Sequence, residues 1–310
     1  MNLLIINQDA EYLKQALEFK FSELSIHAAS TEDQAREHIE TADILIAIRI
    51  SDTLIRKAGR LQWIQSLISG VHFLLDIPSL GKETLITSTS GIHGPQMSET
   101  AFLLMLALNR NLLLNIKNQA NRTWDRWPTK LLFQKKVGIL GVGMIGKEIA
   151  RKCKAFGMTV YGITSVKRAI DCVDYPHGPD ELTHVMREVD YFISVLPSTP
   201  QTRNMIGAKE LSVMKPTAFF INIGRGDTVD EDALAHALET GKIAGAGLDV
   251  FCHEPLHKES PLWAMKNVII TPHIGGVSDI YLDQALPIIE ENLCRFIKGE
   301  RRDLINLIDR

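Results

Sequence analysis

Short apolar runs alternate with longer amphipathic stretches through the first hundred residues of the chain. The runs cover residues 3–6, 44–48, 64–68 and 84–87. Between the earlier runs, apolar residues recur at helical spacing, as Tyr12, Ala16 and Phe19 do. Short apolar runs separated by amphipathic helices are typical of a parallel sheet with helices on both faces. We therefore predict such a sheet for this part of the chain.

The same alternation starts again at Lys135. Apolar runs that predict strands cover residues 137–140, 159–163, 191–196, 218–223, 246–250 and 268–270, with helical stretches between most of them. A chain of 310 residues is too long for one ordinary core and favours two domains of about 150 residues each. The pattern thus predicts an α/β protein with two doubly wound parallel-sheet domains.

A different pattern separates the two halves. From Ser98 to about Ala120, apolar residues recur at helical spacing and lie around most of the helix circumference. Such a helix is buried on more than one side, either between domains or against another subunit. We expect one long helix in this segment, and a homodimer that uses it.

Composition and charge exclude several classes of partner. The formal net charge is −3, so the chain offers no basic surface for nucleic acid or for an anionic membrane. No apolar run approaches the roughly 20 residues that are needed to span a bilayer. The four cysteines form no CxxC pair and match no zinc or disulfide framework. This usage favours a reducing, cytoplasmic compartment and gives no reason to expect a bound metal.

A glycine-rich turn is the strongest local signal for chemistry. Gly141, Gly143 and Gly146 form a GxGxxG motif that follows an apolar strand and opens a helix, which is the context that dinucleotide binding requires. Gly141 permits a tight turn, Gly143 lets the backbone approach a pyrophosphate, and Gly146 lets the helix pack against the strand. The N–H groups at the helix start, around Met144 and Ile145, would face the phosphates. The second domain is therefore predicted to be a Rossmann dinucleotide-binding domain.

Polar and small residues follow the carboxyl ends of the later strands, where ligands bind in an open parallel sheet. In chain order these positions are Gly141, Thr164, Pro197, Gly224-Arg225-Gly226, Asp249 with Glu254 just beyond, and Thr271-Pro272-His273. A single cleft would therefore collect a cation, two acids and a histidine beside a dinucleotide.

This set of residues suits hydride transfer. Reduction of a keto acid needs a cation that holds the carboxylate and polarises the carbonyl, and the rigid fork of Arg225 can do both. It also needs a proton donor near neutral pH, which His273 can be. A carboxylate beside that histidine would orient the ring and favour its protonated form, and Glu254 is the candidate. We interpret the glycines that flank Arg225 and follow His273 as leaving room for substrate and nicotinamide.

With these motifs in this order, the chain resembles the D-isomer-specific 2-hydroxyacid dehydrogenases over essentially its whole length. The segments that carry the resemblance are residues 141–146, 222–226, 248–255 and 271–276. The resemblance implies that Arg225, Glu254 and His273 are the catalytic residues, and that Asp249 contacts the nicotinamide side. It also implies a flavodoxin-like substrate domain of residues 1–97 and 280–310, with an NAD(P)-binding domain of residues 98–279 inserted into it.

The resemblance extends to the ligand-binding residues. The family's substrate loop usually reads Gly-Val-Asp, and here Ser69, Gly70 and Val71 are followed by His72, which departs from that pattern. Backbone N–H groups of this loop would hold the substrate carboxylate. The residues expected to bind the cofactor are Gly141, Gly143, Met144, Ile145, Gly146, Thr164, Ser165, Lys167, Arg168, Leu196, Pro197, Thr202, Ile223, Gly224, Asp249 and Gly275.

Residues 91–95 and the chain length resemble the branch of the family that reduces glyoxylate and hydroxypyruvate. Small 2-keto acids are therefore the expected substrates, and D-2-hydroxy acids the products. Formate dehydrogenases of the family place Gln where Glu254 stands, which disfavours formate. A non-catalytic relative that senses nucleotide in the manner of a corepressor stays an alternative, although the complete set of Arg225, Glu254 and His273 argues against it.

The end of the second strand of the predicted dinucleotide domain indicates the cofactor. NAD-specific domains place Asp or Glu there to bind the ribose 2′-hydroxyl. Here the strand ends in Thr164 and Ser165, and Lys167 and Arg168 follow at once, while the nearest acids are further along at positions 171 and 174. Because a 2′-phosphate would meet cations rather than a carboxylate, we expect NADP(H) to be preferred over NAD(H).

Overall fold

The computed structural model describes residues 1–309, which form two compact units. The first consists of Met1–Ile92 and the chain from Ser278 onward, and the second of His93–Val277. Each unit is built on one sheet, and every pair of its strands is parallel, which confirms the predicted α/β class. The expected boundaries, at 97 and 279, lie a few residues later than those of the units, because a helix of the second unit already begins at Gly94.

The first unit contains a five-stranded sheet. Strands β1 (Asn2–Ile6), β2 (Ser25–Ala29), β3 (Ile44–Ala47), β4 (Trp63–Ser66) and β5 (Leu85–Thr87) follow the order β2-β1-β3-β4-β5. This is the flavodoxin-like order. Strand β2 was not predicted, because it is an edge strand whose apolar run is interrupted by polar residues at Ser25 and His27.

The second unit contains a seven-stranded sheet. Strands β6 (Lys136–Leu140), β7 (Thr159–Ile163), β8 (Tyr175–His177), β9 (Tyr191–Ser194), β10 (Phe219–Asn222), β11 (Gly245–Leu248) and β12 (Val268–Ile270) follow the order β12-β11-β10-β9-β6-β7-β8. Strands β7 and β8 lie on one side of β6, and strands β9 to β12 lie on its other side, so the order of the strands changes sides between β6 and β9, as in a Rossmann fold. The strand that sequence reasoning missed is β8, a three-residue edge strand with a proline at its centre.

Helices cover both sheets. They are α1 (Ala10–Glu18), α2 (Glu32–Ala35), α3 (Asp52–Ile55), α4 (His72–Leu75), α5 (Gly94–Asn109), α6 (Leu112–Ala120), α7 (Met144–Ala155), α8 (Leu182–Glu188), α9 (Ala208–Ser212), α10 (Glu231–Glu239) and α11 (Tyr281–Ile297). In the first unit, Leu13 of α1 and Leu293 of α11 belong to one core cluster with Leu3 and Ile5 of β1. No helix within residues 1–309 combines the length and apolar character that crossing a membrane requires.

The segment predicted as one long helix is two helices, so that prediction was wrong. Helix α5 ends at Asn109, and Asn111 adopts a left-handed conformation with φ of 51° before α6 begins. Asparagine tolerates this conformation better than most residues and commonly ends helices. The two helices also differ in burial. Ten residues of α5 are buried, whereas no residue of α6 is buried within the chain.

A buried polar network connects α11 to the centre of the first sheet. The side chain of Asn292, which is fully buried, donates to Gln65 Oε1 at 2.9 Å and to the Ile305 carbonyl at 3.1 Å, and it accepts the Ile305 N–H at 2.6 Å. Thr87 donates to the same Gln65 oxygen at 2.7 Å and accepts from Trp63 Nε1 at 2.8 Å. The network thereby joins the last turn of chain to β4 and β5.

We expect Asn292→Ala to lower the free energy of unfolding of the first unit by about 2–3 kcal/mol, because the buried Ile305 N–H loses its partner. Thermal denaturation and hydrogen exchange of peptides that cover β4 and β5 measure the effect. The control is Asn121→Ala, an exposed asparagine, for which a change within about 0.5 kcal/mol is expected. Equal stability of the two variants would contradict the assignment of the network to the core.

Candidate active site

The glycine-rich loop joins β6 to α7, and its three glycines have different surroundings. Gly141 has a φ of +97°, and its N–H donates to the Ile163 carbonyl at 3.0 Å, which ties the start of the loop to the end of β7. A β-carbon on Gly146 would lie 2.4 Å from the Gly141 carbonyl oxygen, so the loop and the helix start are in direct backbone contact. At Gly143, a β-carbon would have no other protein atom within 4 Å.

This open space lies at the amino end of α7. The helix has Gly143 at its N-cap, and no side chain caps its first N–H groups. Helix N-termini carry a partial positive charge and unpaired N–H donors, and they bind anionic groups for that reason. Met144, the first helical residue, is 67% exposed. The residues present therefore fit a pyrophosphate, with Gly143 as the point of closest backbone approach.

The glycines beside Arg225 allow neighbouring loops to pack closely. A β-carbon on Gly224 would lie 2.6 Å from the Leu196 carbonyl oxygen, and one on Gly226 would lie 1.9 Å from the Phe251 carbonyl carbon. These glycines are therefore required by the protein's own backbone. We interpreted the glycines on either side of Arg225 as leaving room for substrate and nicotinamide. That interpretation was wrong, because backbone of the protein occupies the space beside them.

Arg225 follows β10 and is held by its own loop. Its carbonyl accepts from Asn222 Nδ2 at 3.1 Å and from the Thr228 hydroxyl at 2.7 Å. Its guanidinium is half-buried and donates through Nη1 to the Gly224 carbonyl at 2.7 Å. Because a guanidinium has five N–H donors, this bond leaves most of them for other acceptors.

His93 lies beside Arg225, and sequence reasoning did not include it among the site residues. Burial lowers the pKa of His93, and the positive charge of Arg225 lowers it further. Its Cδ2 lies 3.4 Å from the position of a β-carbon on Gly276. His93 lies in the segment of residues 91–95 that carries the resemblance to the glyoxylate and hydroxypyruvate branch, but only the fold of the chain places it beside Arg225.

His273 and Glu254 form a hydrogen-bonded pair. The His273 Nδ1 atom lies 2.6 Å from Glu254 Oε2, and the other carboxylate oxygen accepts the Phe251 N–H at 3.0 Å. The two side chains are 44% and 36% exposed, respectively. The second ring nitrogen of His273 has no hydrogen-bond partner within residues 1–309 and is therefore open to a ligand. The pair has the geometry of a proton donor oriented by a carboxylate.

Asp249 holds the turn that carries His273. Its side chain is almost fully buried, and one oxygen accepts the Thr271 hydroxyl at 2.5 Å and the Ile274 N–H at 3.1 Å. The other oxygen accepts the Gly275 N–H at 2.9 Å, and the Asp249 carbonyl accepts the His273 N–H at 2.8 Å. His273 has a φ of 52°, which L-residues rarely adopt, so this clamp compensates local strain.

The loop of residues 164–168 follows β7 at the same edge of the sheet. The Thr164 N–H donates to the His177 carbonyl of β8 at 3.2 Å, and its hydroxyl donates to the Val166 carbonyl at 2.7 Å. Ser165, Lys167 and Arg168 are exposed. Lys167 and Arg168 therefore lie beyond the carboxyl end of β7, the second strand of the dinucleotide domain. Their role in cofactor binding stays a prediction.

An acid that sequence reasoning missed lies against this loop. Lys167 Nζ is 2.9 Å from Glu181 Oε2, although Glu181 is 14 residues away in the chain. From the sequence, the acids nearest to this loop are those at positions 171 and 174. In the structure, Asp174 lies at the opposite end of β7, where it binds Lys154 and the Val160 N–H. Glu181 lies in the turn after strand β8, which the sequence analysis did not predict. Only a prediction of that strand would have placed Glu181 beside the 164–168 loop.

The remaining residues that were expected to bind cofactor or substrate are divided between the two units. In the second unit, the Thr202 hydroxyl donates to the Pro197 carbonyl at 2.7 Å, in the loop after β9 that begins near Leu196, and Ile223 is buried at the end of β10. In the first unit, Ser69, Gly70 and Val71 follow β4 at the carboxyl edge of its sheet and precede α4. The Leu67 carbonyl just before them accepts the Tyr281 hydroxyl at 2.5 Å.

The histidines around Glu254 do not form a metal centre. His253 and His257 are exposed, and their ring centroids are 5.5 Å apart. Within residues 1–309, no group of three or more His, Cys, Asp or Glu side chains is arranged to hold a metal ion.

Comparisons with known proteins agree on one family. Residues 102–275 match the model of the NAD-binding domain of D-isomer specific 2-hydroxyacid dehydrogenases. Among curated proteins, a glyoxylate reductase from Pyrococcus furiosus is 33% identical over 278 residues, which cover 85% of this chain and 82% of that protein.

Solved structures give the same result. A D-isomer specific 2-hydroxyacid dehydrogenase family protein from Aeromonas salmonicida has a TM-score of 0.92 and 36% identity, with coverage of 99% of this chain and 98% of that one. An NADPH-dependent glyoxylate/hydroxypyruvate reductase from Sinorhizobium meliloti, solved in complex with NADP and sulfate, has a TM-score of 0.85 and 26% identity, with coverage of 100% and 98%.

The contrast between two glycines of the same loop is testable. Gly146→Ala would press a β-carbon against the Gly141 carbonyl, and we expect it to lower the free energy of unfolding by about 1–3 kcal/mol. The matched control is Gly143→Ala, where the space is open and the change should stay within about 1 kcal/mol. Thermal denaturation of both variants measures the difference, and the opposite ranking would contradict the loop geometry.

Proposed function

The chain belongs to the D-isomer-specific 2-hydroxyacid dehydrogenases, oxidoreductases that act on CH–OH groups, and we propose that it reduces glyoxylate, hydroxypyruvate or a 2-keto acid of similar size with NADPH. The observation that carries the proposal is the His273–Glu254 pair, which lies at the same sheet edge as Arg225 and the glycine-rich loop. The glyoxylate reductases among the relatives support the substrate class.

The residues divide the reduction between them. Arg225 binds the substrate carboxylate and carbonyl oxygen through guanidinium donors that its loop does not use, and so polarises the carbonyl. A nicotinamide held by the residues of the glycine-rich loop would supply the hydride for the reduction. His273 transfers the proton of its outward-facing ring nitrogen to the carbonyl oxygen, which completes the 2-hydroxy acid. In the first unit, we propose that the backbone N–H groups of Ser69, Gly70 and Val71 bind a carboxylate.

Glu254 acts through His273. Its carboxylate accepts from Nδ1 at 2.6 Å, which fixes the orientation of the ring for proton transfer. The Phe251 N–H in turn orients the carboxylate. A non-catalytic nucleotide sensor would have no need of such a pair, so the arrangement supports an enzyme.

NADPH is proposed as the preferred cofactor because the 164–168 loop is basic. Strand β7 ends without an acid at Thr164 or Ser165, and the exposed Arg168 can reach an anion from the loop. An arginine at this place can accommodate a 2′-phosphate. The neighbour from Sinorhizobium meliloti was solved with NADP, which supports the same choice.

The exposed apolar residues of α6 support a homodimer. Leu112, Leu113, Leu114 and Ile116 are all at least 40% exposed on one short helix, and Leu103 of α5 is 55% exposed. Contiguous apolar surface of this kind marks an interface, and soluble homo-oligomers are most often two-fold symmetric. We assign this surface to a second copy of the chain.

The thiols support a reducing compartment such as the cytoplasm. Cys153, Cys172, Cys252 and Cys294 are all free. Burial raises the pKa of the Cys153 thiol to about 12, so that thiol stays protonated and unreactive at neutral pH.

We expect His273→Ala to lower kcat for keto-acid reduction by about 10²- to 10⁴-fold, because the general acid is lost. The dissociation constant for NADPH should stay within about twofold, since His273 transfers a proton to the substrate and does not hold the dinucleotide. His257→Ala, an exposed histidine from the same region, is the control. A His273→Ala enzyme with near-normal turnover would exclude this assignment.

The companion variant Glu254→Gln tests how the pair works. Gln keeps the shape of the side chain but replaces a charge-assisted hydrogen bond to Nδ1 by a neutral one, so kcat for keto-acid reduction should fall about tenfold while KM stays within about twofold. Steady-state kinetics with glyoxylate measure both constants. An unchanged kcat would show that Glu254 does not orient the ring.

The cofactor proposal predicts about ten- to a hundredfold higher kcat/KM with NADPH than with NADH, from a charge-assisted contact with the 2′-phosphate. Arg168→Ala should remove most of this preference by weakening NADPH alone. Both cofactors are compared with glyoxylate as the common substrate, and Arg187→Ala on the exposed side of α8 is the control. A preference for NADH in the wild type would overturn the proposal.

Light scattering at micromolar concentration should give twice the 34.7 kDa mass of the chain. Leu113→Glu combined with Ile116→Glu should convert the dimer to monomer, because two charges would be buried in an apolar interface. Phe19→Glu, on a side chain that is 96% exposed in the first unit, should leave the mass unchanged. A monomeric wild type would contradict the dimer.

A further inference from the structure

A carboxylate is fixed beside the loop proposed to bind the adenosine ribose. Glu181 ends a short turn that directly follows β8, and Lys167 Nζ lies 3.1 Å and 2.9 Å from its two oxygens. One oxygen also lies 2.9 Å from His177 Nδ1, and the other accepts the Gly178 N–H at 2.9 Å. Three neighbours therefore bind one carboxylate, and one of them is a residue expected to bind the cofactor.

This environment keeps Glu181 ionised. The Gly178 N–H, then His177 and then Lys167 lower the pKa of Glu181 to about 2. At neutral pH the Lys167 charge is therefore paired with a full negative charge. Arg168 next to it has no ion-pair partner within residues 1–309, so the loop presents one uncompensated cation where the sequence predicted two.

Glu181 also has little freedom to move away when a ligand arrives. His177 is mostly buried, and its ring stacks on Tyr161 with centroids 5.9 Å apart. The His177 carbonyl accepts the Thr164 N–H, which connects β8 to the 164–168 loop. Because the Gly178 N–H closes the turn onto the same carboxylate, displacement of Glu181 would break several bonds at once.

We propose that Glu181 sets the degree of cofactor selectivity by neutralising Lys167, so that Arg168 alone provides net attraction for the 2′-phosphate. The inference rests on the proposed use of the 164–168 loop for the adenosine ribose. Because Lys167 Nζ lies 2.9 Å from Glu181 Oε2, the Glu181 charge opposes the attraction that Lys167 exerts on a 2′-phosphate. The chain therefore discriminates between NADPH and NADH less strongly than its two adjacent basic residues suggest.

The test is binding of NADPH and NADH to the unliganded full chain, measured by isothermal titration calorimetry at low and at moderate salt. Glu181→Gln keeps an acceptor for the Gly178 N–H but removes the charge. We expect it to tighten NADPH binding about three- to tenfold, more so at low salt, and to leave NADH within about twofold. Glu188→Gln is the matched control, because it removes one carboxylate from a similar pair, with Lys136 at 2.9 Å at the other end of the sheet.

A second pair of variants separates neutralisation from direct contact. Lys167→Met leaves Glu181 uncompensated and should weaken NADPH binding by a similar factor. Combined with Glu181→Gln, it restores a net charge of zero at this position, so the double variant should return to within about twofold of the wild-type ratio of dissociation constants. If Lys167 were instead the principal ligand of the phosphate, the double variant would stay weak for NADPH, which would overturn the inference.

The outcomes also separate this inference from the function on which it rests. If the wild type binds both cofactors and Glu181→Gln weakens NADPH binding or leaves the ratio unchanged, the inference fails and the proposed function stands. If the wild type binds neither cofactor, the proposed function fails and the inference fails with it.

Discussion

Close contact between loop backbones at the carboxyl edge of the second sheet is the constraint on which the site depends. Three glycines there meet neighbouring backbone at distances that admit no side chain: Gly146 meets Gly141 at the start of α7, and Gly224 and Gly226 meet Leu196 and Phe251 of two other loops. The contacts of Gly224 and Gly226 join the loops that follow β9, β10 and β11, and so bring Arg225 close to the segment that carries Glu254. Glycine is therefore required at these positions by the packing of the protein's own backbone, whether or not a ligand is bound.

A second constraint is electrostatic, and it acts through buried or anchored carboxylates. Asp249 uses both oxygens to hold the strained turn at His273, so it fixes the position of the ring that we propose as the proton donor. Glu254 then orients the ring of that donor. Glu181 works in the same manner further along the edge, where it holds Lys167. In each case, backbone N–H groups orient an acid that in turn controls the chemistry of a neighbouring side chain.

In the first unit, buried hydrogen bonds hold the last turn of the chain against the sheet. Its buried polar network joins Asn292 and the Ile305 backbone to Gln65, so the last turn of chain is bound by directional bonds in addition to apolar packing. Directional bonds specify one register where apolar contacts alone would allow several. The second unit leaves the leucines of α6 exposed, and we propose that a second copy of the chain covers them.

By itself, the sequence determined the fold class, most strands and the catalytic candidates. Continuous apolar runs and the GxGxxG spacing are local signals, and motif order placed Arg225, Glu254 and His273 at strand ends. Strands β2 and β8, the break at Asn111, His93 beside Arg225 and Glu181 beside Lys167 were decided only by the tertiary structure. The physical reason is that edge strands carry weak periodicity, whereas contacts between residues far apart in the chain depend on strand order, which no local pattern encodes.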